Sequence, residues 1–310
     1  MIYVSFYVGQ KNQHRSNTYL YFYTKNNSYI VIKIFDSKKS GPNLVIMAGV
    51  HGDERCGLNA FTTIIPTFIP LCGKVTFIIG NPRAVILRKR KYEADLNRMF
   101  RPAKDLTSSE KNTYEFVRSR ELIPILEKAD ALLDIHSSTT EITTPFVICE
   151  KQSFKVSTKL PVETIVSGID SLHPTGTDAF VNQSGGLGIC IECGNHNDPQ
   201  STQVAIDATK RFLHYFSVIN LKDDYIIKNQ RFIKAEFIYK NKDYFRLSKA
   251  FKEFEKIDAN STIGIDGVLD VKAPYNGVIL FPQNQTKTNS EAFLYGREII
   301  IDSPIRKDSK

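Results

Sequence analysis

The sequence predicts an α/β fold: a mixed β-sheet flanked by helices, with a smaller C-terminal, mostly β domain. Three observations predict it. Short continuous apolar runs at residues 44–50 and 74–80 suit strands covered on both faces, and the run 129–135, which includes Asp130 and Asp134, reads as another buried strand. Segments with helical spacing lie between and after those runs, at 54–65 and 201–216. Beyond about residue 220 the texture changes to alternating, strand-like segments with turn signals. The division this suggests is 1–220 for an α/β domain and 221–310 for a β domain.

The elements follow in order. Met1-Ile2-Tyr3-Val4-Ser5-Phe6 has neither a basic leader nor a long apolar core, so it reads as a first strand rather than a signal peptide. Tyr19–Tyr23 and Tyr29–Ile34 alternate apolar and polar residues, as antiparallel strands joined at Lys25-Asn26-Asn27-Ser28 would. Residues 54–65 suit a helix crossing over the sheet. Asn81-Pro82-Arg83-Ala84, and the basic stretch through Phe100, read as a loop following a strand. Thr107-Ser108-Ser109-Glu110 has capping-box spacing, so a helix should run from there toward Lys128, kinked or broken at Pro124. Val204, Ala208, Phe212 and Phe216 mark an amphipathic helix. In the last third, Asp266-Gly267, Asn276-Gly277 and Tyr295-Gly296 read as turns, with a short helix possible around 247–256.

Composition narrows the class. The chain has 310 residues, 42% hydrophobic, enough for a sizeable core. No apolar run is long enough for a membrane-spanning helix. Five cysteines, irregularly spaced, argue against a disulfide framework and for a reducing, cytoplasmic location. Cys190 and Cys193 form a lone C-x-x-C, read as buried small residues on a strand. The net charge of +8 favours anionic partners. Apart from Arg88-Lys89-Arg90-Lys91 there is no basic run of nucleic-acid type; a small carboxylate substrate is the other candidate, and ordinary solvated lysine accounts for much of the surplus. The oligomeric state is not legible in the sequence.

The chemistry is concentrated in four places. His51-Gly52-Asp53-Glu54 follows the run Leu44–Val50, and delivers an imidazole and a carboxylate three residues apart. His136 stands at the end of the run Ala129–Ile135 and is a plausible third ligand. Two histidines and one glutamate around a single ion leave a coordination position open, the pattern of a catalytic zinc. Either half alone is also what a surface histidine or a helix-dipole carboxylate would look like. Arg90 and Arg98 offer planar forks suited to carboxylates and Asn97 an amide donor, although a solvated loop paired with Glu93 and Asp95 explains the same residues. Glu192 interrupts the apolar strand Ile189-Cys190-Ile191. A carboxylate there is costly to bury, which makes it either a general base with a raised pKa or half of a structural salt bridge.

Taken in order, His51-Gly52-Asp53-Glu54, Asn81-Pro82-Arg83-Ala84, Arg90 with Asp95-Leu96-Asn97-Arg98-Met99-Phe100, Asp134-Ile135-His136 and Ile191-Glu192-Cys193-Gly194 resemble the succinylglutamate desuccinylase/aspartoacylase family, relatives of the zinc carboxypeptidases. Val271–Pro282 is similar to that family's C-terminal domain. The resemblance implies a zinc carboxypeptidase-like sheet and one zinc ion held by His51, Glu54 and His136. It implies that Glu192 acts on the activated water, and that Arg90, Asn97 and Arg98 handle the carbonyl and carboxylate of a small anionic N-acyl amino acid. Two positions depart from the aspartoacylase pattern. Asn182 stands where that enzyme has a substrate-gripping arginine, and its late active-site tyrosine has no aligned match, with Tyr275 and Tyr295 both available. The expected activity is therefore zinc-dependent amide hydrolysis, with N-acetylaspartate an uncertain substrate. Two alternatives remain: a carboxypeptidase trimming peptides or cell-wall stems with the same metal site, and a metal-free protein binding anions or nucleic acid.

Overall fold

The computed structural model describes residues 18–24, 27–139, 143–222, 227 and 229–301. The first strand expected at residues 1–6 and the turn at Lys25-Asn26 lie outside them. The strands are β1 (Thr18–Thr24), β2 (Asn27–Asp36) and β3 (Asn43–Ala48), then helix α1 (Cys56–Ile64), β4 (Lys74–Ile79) and α2 (Pro82–Leu87). Next come α3 (Ser108–Lys111), α4 (Tyr114–Leu126), β5 (Ala131–Ser138), β6 (Phe146–Cys149), α5 (Phe154–Ser157), β7 (Thr164–Ser167), α6 (Ile169–Leu172) and α7 (Thr177–Gln183). The chain continues through β8 (Leu187–Asn195), α8 (Pro199–Tyr215), β9 (Arg231–Lys240), β10 (Phe245–Leu247), β11 (Lys256–Ile257), β12 (Thr262–Asp266), β13 (Leu269–Lys272), β14 (Gly277–Leu280) and β15 (Glu291–Ile299).

A mixed sheet of 12 strands, ordered β1-β2-β4-β3-β5-β8-β6-β7-β9-β15-β14-β11, forms the backbone of the fold. Its centre, β4-β3-β5-β8, is parallel, as buried apolar runs require. Strands β9, β15, β14 and β11 continue the same sheet, and β10-β12-β13 form a small antiparallel sheet beside it. Alternate residues of β3 serve opposite faces. Leu44, Ile46 and Ala48 pack in the core with α1 and α8, whereas Val45 and Met47 pack in the core with α4. Gly57 lets α1 come close to the sheet, since a Cβ there would sit 2.7 Å from that of Ala48.

Several expectations are corrected. The helix expected from Thr107 begins with the anticipated capping box but stops at Lys111, and Thr113 recaps the chain by accepting from Phe116 N (3.2 Å) to start α4. Pro124 does not break α4. It sits in the last turn, and the helix ends two residues later. Asn81–Ala84 is not loop: Asn81 caps α2, with Pro82 in the first turn. Tyr295-Gly296 is not a turn but lies inside β15, at a register shift against β9. No helix forms in 247–256, because Ser248 N bonds to Ile263 O and Phe254 N to Ile279 O, and neighbouring chain takes the donors a helix would use.

Candidate active site

The turn after β3 carries His51 and Glu54, both buried. Gly52 is required here, because a Cβ would overlap the backbone of Ala84 at 2.0 Å. His136 lies inside β5 rather than at its end, since the strand continues two residues further to Ser138. The three expected ligands converge. Glu54 Oε1 is 2.7 Å from His51 Nδ1, and Glu54 Oε2 is 2.9 Å from His136 Nδ1. The imidazole centroids are 5.1 Å apart.

Both rings turn the opposite nitrogen toward another carboxylate. His51 Nε2 lies 3.2 Å from Asp95 Oδ1, and His136 Nε2 lies 3.0 Å from Asp134 Oδ2. Thr177 Oγ1 also donates to Asp134 Oδ2. A carboxylate hydrogen-bonded to the far nitrogen fixes the ring of His51, the usual support of a metal-binding histidine; Asp134 stands at ion-pair distance from His136 Nε2 without hydrogen-bond alignment. Burial opposes the charged form of His51 and of His136. The surrounding carboxylates outweigh it and raise both, His136 well above the ordinary range. Burial also works against ionised Glu54, yet the imidazoles of His136 and His51 hold it well below the usual carboxylate range. The pocket therefore favours positive charge. Two imidazole nitrogens and a carboxylate, within 4.8 Å of one another, could hold one divalent ion. The donor set fits zinc.

Glu192 is the register partner of His136 across the β5–β8 ladder. It is not half of a salt bridge: among the described residues no cation is within ion-pair distance, and Oε2 is buried without a hydrogen-bond partner. Burial, reinforced by the charge of Glu54, pushes Glu192 up to about 7. Arg90 lies 3.2 Å from Asp95 Oδ2 and 3.8 Å from Glu54 Oε1. Arg90, Asn97 and Arg98 line one cavity of about 560 Å³ together with His51, Glu54, His136 and Glu192. Asn182, Tyr275 and Tyr295 do not line it. Asn182 accepts from Gly188 N (2.8 Å) and donates to Asp170 (2.8 Å), tying α7 to β8. Tyr275 donates to Glu236, and Tyr295 to the carbonyl of Tyr275 (3.0 Å).

Other site residues were not singled out from the sequence. Asp95 and Asp134 carry the outer nitrogens of the two histidines, and the two-residue spacing of Asp134 and His136 on one strand face was the available signal. His196 joins the cavity through Ser137, whose Oγ lies 2.8 Å from His196 Nδ1. Glu115, fully buried on α4, accepts from Asn81 Nδ2 (2.9 Å) and from the backbone N–H groups of Tyr92 (2.8 Å), Glu93 (3.1 Å) and Ala94 (3.0 Å). It thereby shapes the loop that presents Arg90, Asp95, Asn97 and Arg98.

Residues 40–216 match the model of the succinylglutamate desuccinylase/aspartoacylase catalytic domain, and the chain belongs to that family. A probable aspartoacylase from Trichodesmium erythraeum (strain IMS101) is 28% identical over 163 residues, covering 49% of this chain and 55% of that protein. The chain thus spans about half the length of the curated relatives it matches. The succinylglutamate desuccinylase of Vibrio parahaemolyticus superposes with a TM-score of 0.73 at 16% identity, covering 93% of both chains. The product-bound ectoine utilization protein EutE (DoeB) of Ruegeria pomeroyi gives 0.69 at 16% identity, over 94% of this chain and 98% of that one. At such identities these structures bear on the fold. Among the described residues no helix is long and apolar enough to cross a membrane.

Proposed function

We propose that the protein is a zinc-dependent amidohydrolase that removes the acyl group from a small, anionic N-acyl amino acid. The observation that carries this reading is the pair of buried imidazoles turned by Nδ1 onto one carboxylate, with Glu192 beside them and a cavity in front. His51, Glu54 and His136 would hold one zinc ion per chain, which when bound supplies Lewis acidity and makes water acidic enough to ionise near neutral pH.

The chain's own residues do the rest. Glu192 accepts the proton of the attacking water at its unpartnered carboxylate and passes it to the departing amine nitrogen. A base whose pKa is near 7 is matched to that exchange. Arg90 donates toward the carbonyl oxygen as negative charge develops there. Asn97 and Arg98 hold the substrate carboxylate. Among the described residues Arg98 has no carboxylate within ion-pair distance, so its charge is available to a ligand. Five free thiols suit a reducing compartment, and the cytoplasm is the proposed location.

The test is a hydrolysis screen of N-acetyl, N-succinyl and N-formyl amino acids, with metal analysis of the purified protein. Release of free amino acid that stops on chelation and returns with zinc supports the reading. Tight metal with no cleavage of the N-acyl amino acids, while peptides are trimmed, replaces it with the carboxypeptidase alternative.

A further inference from the structure

We infer that the site takes an uncharged, apolar acyl group, seated against Ile148, Ile169, Cys190, Phe281 and Leu294. This rests on the deacylase reading above and names the half of the substrate that reading leaves open.

The wall begins beside the proposed base. Cys190 lies two residues before Glu192 on β8, hence on the same face of the sheet, and Ile148 is its register partner on β6. Ile148, Cys190 and Leu294 are buried members of one apolar core, and Ile169 and Phe281 pack against that core. All five line the cavity. The wall is therefore the exposed edge of a packed interior, not a row of solvated side chains. Phe281 is held in the left-handed region at φ 52°, uncommon for a residue with a Cβ. Its N–H is fastened to Glu253 Oε1 at 2.8 Å. Such backbone strain concentrates where a protein shapes a ligand site.

The charges of the cavity point the same way. A dicarboxylate acyl group would need a cation of its own in addition to the one that holds the amino-acid carboxylate. Among the lining residues Arg90 is already set against Asp95, and His173 against Glu291 at 3.1 Å. Of the two guanidinium groups that leaves Arg98 for a carboxylate, while His196 has its Nδ1 engaged by Ser137 Oγ at 2.8 Å. Asp178 also lines the cavity and would repel a second carboxylate.

The experiment measures kcat/KM of the zinc-loaded protein for N-acetyl, N-butanoyl, N-hexanoyl and N-succinyl derivatives of alanine and of glutamate. Butanoyl and succinyl have the same chain length and differ by the terminal carboxylate. The expected result is butanoyl over succinyl by at least tenfold. A rise of about two- to fourfold per added methylene from acetyl to hexanoyl is also expected, the upper figure being that of full burial. Phe281→Gly, which suits the left-handed backbone, should lower the hexanoyl-to-acetyl ratio. Succinyl equal to or better than butanoyl, or a flat chain-length series, overturns the inference while leaving the deacylase reading in place. Cleavage of none of the eight compounds sinks both.

Discussion

His136 and Glu192 face each other as register partners across the parallel ladder of β5 and β8. In a parallel pair, partners point to the same face, so the ladder alone sets the proposed base beside a proposed metal ligand. Two residues earlier, Asp134 pairs with Cys190 on that face and supports His136 from behind. Proposed base, ligand and ligand support thus share one period-two stripe.

That placement predicts a separation of metal binding from turnover. Glu192→Gln keeps the shape of the side chain but cannot take a proton. The variant should retain about one zinc per chain by elemental analysis and lose about 10²–10⁴-fold in kcat. Unchanged turnover in a zinc-loaded Glu192→Gln protein would remove Glu192 from the mechanism.

Asp134 does not line the cavity, so its loss should act through His136. Asp134→Asn should weaken zinc about 10–100-fold in a chelator competition, while saturating zinc restores much of the activity. Equal zinc affinity in variant and parent would show that His136 needs no such support.

Arg98 should act on binding. Arg98→Ala removes one charge-assisted contact worth about 1.5–3 kcal/mol, so KM should rise about tenfold or more with a smaller change in kcat. Steady-state kinetics on one N-acyl amino acid reads this directly. A collapse of kcat at unchanged KM would place Arg98 at the reacting carbonyl instead.

Glu253 makes stability depend on pH in an unusual direction. Burial first, and then the charge of Glu192, push it up to about 7. Its folded pKa lies above the unfolded value near 4.5, so the native state binds the proton more tightly. Stability should therefore fall as pH rises from about 5 to above 7, by up to about 3 kcal/mol from this group. Glu253→Gln, which keeps an acceptor for Phe281 N, should raise the melting temperature at pH 8 by a few degrees and change it little at pH 5. A variant destabilised equally at both pH values would refute this account.

Much of the site was legible in the sequence because local chemistry leaves local marks. His51 and Glu54 had to follow a buried strand, and Glu192 stood out because a carboxylate among Ile and Cys is costly. The capping box at Thr107 was readable for the same reason, since three neighbouring residues make it. The failures have physical causes too. Tyr295-Gly296 carries turn chemistry, but β9 and β14 pair with that segment on both sides and override it. The interior proline of α4 removes one helical donor, and the helix ends two residues beyond it.

By itself the sequence determined which residues could bear charge, metal or a proton, and roughly which strand each belonged to. Those properties follow from side-chain chemistry and from periodicity along the chain. Only the tertiary structure decided that β5 lies between β3 and β8, and that Asp95 and Asp134 stand behind the two histidines. It also decided that Asn182 ties α7 to β8 outside the cavity, while Phe281 reaches the cavity wall. Strand order and register are set by the burial of whole faces against distant helices, and no short window of sequence contains that free energy.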